Sequence, residues 1–193
     1  MANRKEGKKA VFLDRDGTIV RYADLLVDLK KVKILPGVGQ AIKKMNDLGY
    51  LVIVVTNQPV IARGLISEAG IERMNQMIAG RLSASGGRVD AWYVCPHHPK
   101  ATLPRYRMRC GCRKPGAGLL RRAAREHGID LEKSFMVGDA IIDMEMGRRA
   151  GTKNILVQAG PGHARLDKLY AVKPDFIAKD LLAASKIVLN GSS

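Results

Sequence analysis

Apolar runs rich in β-branched residues recur along this chain and alternate with segments of helical period, the pattern of a mostly parallel sheet covered by helices. The runs Ala10 to Leu13, Leu51 to Val55, Trp92 to Val94, Phe135 to Val137 and Asn154 to Val157 predict strands, with an edge strand near Phe176. Each is short and apolar, as strands buried on both faces are. Helices are predicted over Val38 to Leu48, entered after Pro36-Gly37 and stopped by Gly49, and over Glu68 to Leu82, with Ser67 as N-cap. Leu119 to His127, closed by Gly128, predicts another, and Ile141 to Ala150 and Lys179 to Leu189 two more. Ser83 to Gly87 reads as a turn and Gly160 to His163 as a loop. No repeat or linker divides the 193 residues, so the expectation is one α/β domain over residues 1–193, with residues 1–9 a basic tail.

Composition narrows the class. At 46% hydrophobic, the chain can bury a core without disulfide staples, and 26% charged residues without compositional bias exclude disorder, collagen and coiled coil. Apolar runs such as Leu51 to Val55 fall far short of the roughly 20 residues a membrane span needs. The basic opening, Met1 to Lys9, lacks the apolar stretch of a signal peptide. A cytoplasmic chain with no membrane partner is therefore expected. Against 18 acidic residues stand 33 basic ones, a net charge of +15 that draws phosphorylated metabolites, nucleic acid or acidic membrane. From Ala91 to Arg125 there is no acidic residue, yet Lys100, Arg105, Arg107, Arg109, Arg113, Lys114, Arg121, Arg122 and Arg125 all fall there.

Ligands of open α/β sheets bind beyond the carboxyl ends of the strands. Three predicted strands end there in polar groups: Asp14-Arg15-Asp16-Gly17-Thr18 after the first, Thr56-Asn57-Gln58 after the second, and Gly138-Asp139 after the fourth, with Asp143 a helical turn later. If the chain stays extended, Asp14 and Asp16 lean to one side. Two such carboxylates repel unless a cation lies between them or one holds a proton, the asymmetry that a nucleophile beside a general acid requires. Asp139 would add a third carboxylate, and a hard divalent ion such as magnesium would relieve the repulsion. Singly, Asp-Gly-Thr is also a common turn and Gly-Asp a common helix start. Their joint order at successive strand ends is what points to a phosphate site.

In this combination the residues resemble the four motifs of the haloacid dehalogenase superfamily: Asp14-Arg15-Asp16-Gly17-Thr18, Thr56-Asn57-Gln58, Arg113-Lys114-Pro115, and Gly138-Asp139 through Asp143. Within it the chain resembles the small capless branch that contains D-glycero-D-manno-heptose 1,7-bisphosphate phosphatases and the phosphatase part of histidinol-phosphate phosphatases. The resemblance implies a Rossmann-like sheet without a cap. It also implies Asp14 as nucleophile, Asp16 as acid and base, and Mg²⁺ held by the Asp14 carboxylate, the Asp16 main-chain carbonyl and the Asp139 carboxylate. Thr56, Asn57 and Lys114 would hold the phosphoryl oxygens, with Gln58 and Arg63 in the substrate site, although Arg63 fits a loop salt bridge equally well. Arg113 suits a second anionic group, because its planar fork grips phosphate in two places. Asp143 supports the site or simply caps its helix.

Cys95-Pro96-His97 and Cys110-Gly111-Cys112 place four soft ligands in two pairs, and two such pairs can close the tetrahedron of a structural zinc, with His98 as a substitute for His97. The heptose phosphatases carry the same arrangement, which implies a zinc that anchors a loop while magnesium serves the chemistry. Two positions depart from that branch: Ala140 stands where a lysine is expected, and Pro59-Val60 where many relatives have Ser-Gly. The first expectation is a magnesium-dependent phosphatase of heptose 1,7-bisphosphate acting at the 7-phosphate through an aspartyl-phosphate. Histidinol-phosphate hydrolysis is the alternative. A nucleic-acid 3′-phosphatase would explain the charge, but aromatic residues are only 5% of the chain and offer no stacking platform. A basic binding module is disfavoured because Asp14 and Asp16 are both present. With no cap insertion after Asp16 or Gln58, an open site in a monomer is expected.

Overall fold

The computed structural model describes residues 7–160 and 172–191. Six strands, β1 (Ala10–Leu13), β2 (Leu51–Asn57), β3 (Ala91–Cys95), β4 (Phe135–Gly138), β5 (Lys153–Val157) and β6 (Phe176–Ala178), form one sheet in the order β3-β2-β1-β4-β5-β6. Every adjacent pair is parallel, with Val11 opposite Val52 on one side and Phe135 on the other. Among the described residues six helices, α1 (Val38–Asp47), α2 (Pro59–Ala62), α3 (Glu68–Ser83), α4 (Gly118–His127), α5 (Ile141–Ala150) and α6 (Leu181–Asn190), connect or follow the strands.

Side chains of the central strands β2, β1 and β4 alternate across the sheet and are buried on both faces. Val11 and Leu13 pack with Val52, Val54 and Val137 beneath α1, α3 and α6, through Ile42, Met45, Met74, Ile78, Ala184 and Val188. Ala10 and Phe12 point the other way, joining Ile53, Val55 and Met136 against Leu119, Leu120 and Ala123 of α4 and Met146 of α5. Doubly buried strands explain why the apolar runs were unbroken.

The predicted strands are all present, with β2 running on to Asn57 and β5 starting at Lys153. The last helix starts two residues later than predicted because Asp180 caps it, accepting from the Ala183 N–H at 2.7 Å. The short α2, opened by Pro59, was not foreseen. Lys8 is tied to the fold, donating to Gly128 O and accepting from Asp130 N, both at 2.9 Å; residues 1–6 lie outside the described residues. Of the expected loop from Gly160 to His163, only Gly160 is described. Between β1 and α1 the chain makes only the isolated bridges Asp16–Val20 and Val20–Ile34 and a 3-10 turn, Leu29–Lys31, so no cap is inserted there. No described helix is long and apolar enough to cross a membrane.

Candidate active site

The strand order reverses between β1 and β4, whose outward connections leave in opposite directions, and a crevice opens beyond their carboxyl ends. Asp14 is pinned there by its N–H, which donates to Val137 O at 2.9 Å. Asp139 follows β4 directly, and the first turn of α5 brings Asp143 back toward it. One carboxylate oxygen from each of Asp14, Asp139 and Asp143 lies within 4.8 Å of the others, and all three residues are buried. Lys114, also buried, donates from Nζ to Asp14 Oδ1 at 2.5 Å and to Asp143 Oδ1 at 2.7 Å. Asp143 Oδ2 accepts from Ala140 N at 3.1 Å, so the residue both caps α5 and orients Lys114.

Three carboxylates around one ammonium leave an excess of negative charge in a place water barely reaches. Burial pushes the Asp14 carboxyl up, Lys114 pulls it back, and Asp143, Asp139 and Asp16 raise it again, to about 8. Burial alone would lower Lys114, yet Asp14 and Asp143 hold it above its ordinary range. Lys114 is thus a fixed cation, and Asp14 a carboxylate that needs a further positive charge to ionise fully. All-oxygen donors with surplus charge are what a magnesium ion requires, so this donor set fits that ion.

The Asp16 carboxylate stands outside that group of three. Arg15 Nε donates to Asp16 Oδ2 at 3.0 Å and an Arg15 terminal nitrogen to Oδ1 at 3.1 Å, while Gln58 Nε2 donates to Oδ2 at 2.7 Å. Gln58 also donates to Thr56 Oγ1 at 2.8 Å, so both its amide protons are committed to the two residues beside it. Arg15 is fully buried and reaches Asn75 Oδ1 of α3 at 3.2 Å. Neither Arg15 nor Asn75 was foreseen as a functional residue. Nothing local marks an arginine in a chain of net charge +15 as buried.

Beside these groups lies a cleft of 470 Å³ lined in part by Asp16, Asn57, Gln58, Arg63, Arg113 and Tyr22. Arg63 and Arg113 thus face one space, while Ala140 and Pro59 occupy the starts of α5 and α2. Asn57 Oδ1 accepts from Lys114 N at 3.1 Å, which leaves the Asn57 amide protons as its remaining polar capacity.

The Cys/His residues converge behind Arg113. Sγ of Cys112 is 3.1 Å from Cys110 and 3.2 Å from Cys95, Cys95 and Cys110 are 3.7 Å apart, and His97 Nδ1 is 3.3 Å from Cys112. The edge of a tetrahedron with bonds of about 2.3 Å is roughly 3.8 Å, so these four atoms could hold a zinc ion after small adjustments. His98 is not among them; its Nδ1 accepts from Lys100 N at 3.0 Å. Arg113 donates to His97 O at 3.2 Å, joining the cluster to the cleft.

A D-glycero-β-D-manno-heptose-1,7-bisphosphate 7-phosphatase of Haemophilus ducreyi is 40% identical over 156 residues, 80% of this chain and 85% of that protein. The chain belongs to the heptose bisphosphate phosphatase family of the haloacid dehalogenase superfamily. As a member it is a phosphoric monoester hydrolase. A further member, the D-glycero-D-manno-heptose-1,7-bisphosphate 7-phosphatase of Thermosynechococcus vestitus, is 38% identical across 92% of this chain and 93% of its own. The crystal structure of a family enzyme from B. bronchiseptica, a D,D-heptose 1,7-bisphosphate phosphatase complexed with magnesium and phosphate, superposes with a TM-score of 0.82. It is 33% identical, covering 94% of this chain and 98% of that one. The model of haloacid dehalogenase-like hydrolases matches residues 111–184.

Proposed function

We propose that this phosphatase removes the 7-phosphate of D-glycero-D-manno-heptose 1,7-bisphosphate through an aspartyl-phosphate on Asp14. The observation that carries the reading is the buried contact of Asp14 with Lys114 at a crevice whose open side holds Asp16, Arg63 and Arg113. An Asp14 oxygen would attack phosphorus as the bond to the sugar oxygen breaks, and Asp16 would hand that oxygen a proton. The same Asp16 would then take a proton from the water that releases phosphate.

Asp14 and Asp139, with the main-chain carbonyl of Asp16, would hold Mg²⁺. Asp143 has both oxygens engaged, by Lys114 and by Ala140 N, and acts as a support. Magnesium supplies positive charge that lets an anionic nucleophile approach an anionic ester. Lys114 adds a point charge on the phosphoryl group, the Asn57 amide donates to it, and Thr56, held by Gln58, borders it. Arg113 and Arg63, on the same cleft, suit the second phosphate of a bisphosphate. Zinc on Cys95, His97, Cys110 and Cys112 would fix the loop that carries Arg113 and Lys114.

The test measures phosphate release, with and without Mg²⁺, from both anomers of heptose 1,7-bisphosphate, from histidinol phosphate and from a 3′-phosphorylated oligonucleotide. Magnesium-dependent release from a heptose anomer above the rest supports the proposal, and preference for either other substrate rejects it. Asp14→Asn is expected to abolish turnover while substrate still binds.

A further inference from the structure

Arg15 is as deeply buried as any side chain in the protein, and a guanidinium cannot shed its charge. Its partners are the Asp16 carboxylate, Asn75 Oδ1 at 3.2 Å and, more distantly, Met74 Sδ at 3.7 Å. The cation is therefore stretched between a carboxylate on the catalytic loop and an amide on α3, sixty residues on in sequence. Asn75 is itself buried, and its acceptor has no other visible task. Asp16 Oδ2 receives two donors, Arg15 Nε and Gln58 Nε2, and lies 2.9 Å from the same Arg15 terminal nitrogen that donates to Oδ1 at 3.1 Å, so Oδ1 is the less engaged oxygen. A carboxylate oxygen with two donors in place has no acceptor capacity left, so the oxygen with capacity to spare for a substrate is Oδ1.

We propose that Asn75 and Arg15 are positioning residues that, together with Gln58, aim Asp16 so that Oδ1, its less engaged oxygen, is the one turned to the leaving oxygen. The inference rests on the phosphatase reading above. In the first chemical step the phosphorus-oxygen bond to the leaving group breaks with its electron pair on oxygen, and the proton on Asp16 Oδ1 passes to that oxygen. A sugar alkoxide needs that proton; a nitrophenolate, a far weaker base, leaves without it. Misaimed by loss of its anchor, Asp16 would fail where the proton matters and not where it does not.

The experiment compares wild type with Asn75→Ala, Asn75→Leu and Arg15→Lys in single-turnover release of the leaving group, from the sugar bisphosphate and from 4-nitrophenyl phosphate. Both Asn75 variants are expected to fold, by circular dichroism, and to lose roughly tenfold to a hundredfold with the sugar ester but less than about threefold with the aryl ester. Arg15→Lys should show the same split, because an ammonium cannot span both Asp16 oxygens and Asn75. KM for the sugar ester should change little. Equal losses on the two esters, no loss at all, or Asn75 variants that do not fold would overturn the inference and leave Asn75 a purely structural residue. A wild-type enzyme inert toward the sugar bisphosphate would instead overturn the reading of its substrate.

Discussion

Lys114 Nζ lies 2.5 Å from Oδ1 of Asp14, with both side chains removed from solvent. At about 4 Å and an effective dielectric near 20 such a pair is worth roughly 4 kcal/mol before desolvation, and removing one partner leaves an uncompensated buried charge. Lys114→Met should therefore lower kcat by about three decades. It should also push the Asp14 carboxyl higher still, since burial and Asp143 would no longer be opposed by Lys114. Steady-state kinetics from pH 6 to 9 check this, and a variant with at least a tenth of wild-type kcat would contradict it.

Away from the site, Glu145 on α5 accepts from Arg148 Nε at 2.8 Å and from Arg149 Nε at 2.7 Å. These hydrogen bonds, against the opposing effect of burial, hold its carboxyl down to about 2. A folded value below the ordinary carboxylate range means that the stabilisation is complete above that range and fades as pH falls toward 2. Both arginines are largely exposed, so solvent screening limits the gain to about 0.5–1 kcal/mol at neutral pH. Urea unfolding of wild type and Glu145→Gln should show that gap at pH 7 and no gap near pH 2.

The strands and the carboxylates at their ends were legible because both signals are local. A doubly buried strand needs an unbroken apolar run, and a residue such as Asp14 or Asp139 directly after one can only sit at the sheet's edge. The Cys95, His97, Cys110 and Cys112 cluster was legible from spacing, though the spacing alone left His98 open until His97 was seen among the sulfurs. What escaped depends on distant partners. Arg15 is buried only because Asn75 meets it from α3, and Gln58, expected against substrate, spends its amide protons on Asp16 and Thr56. The start of α6 at Leu181, after its cap Asp180, was missed for a simpler reason: a charged pair, Lys179-Asp180, gave the helical period no apolar position to mark its edge.

Gly17 has φ +97°, and a Cβ placed there would run into the Asp139 carboxylate. Gly17→Ala carries a backbone penalty of about 1 kcal/mol or more and also displaces an oxygen assigned to magnesium. The expected outcome is an enzyme that needs at least tenfold more Mg²⁺ for half-maximal activity, with a melting temperature a few degrees lower, by titration and by calorimetry. Unchanged magnesium dependence would remove Asp139 from the proposed ligand set.

Cys112 is covalently followed by Arg113 and Lys114, Arg113 donates to His97 O at 3.2 Å, and Lys114 N donates to Asn57 Oδ1 at 3.1 Å. The Cys/His cluster and the residues proposed to face phosphate thus share one short stretch of backbone. If zinc holds that cluster, elemental analysis should find about one zinc per chain, and Cys110→Ser should lower it. Loss of the ion would free the loop, and the effect should appear first on substrate capture: KM for the bisphosphate rising about tenfold, with kcat reduced less, because Lys114 keeps its own bonds to Asp14 and Asp143. A Cys110→Ser enzyme with unaltered zinc content, melting temperature and KM would show that the cluster neither binds the ion nor shapes the cleft.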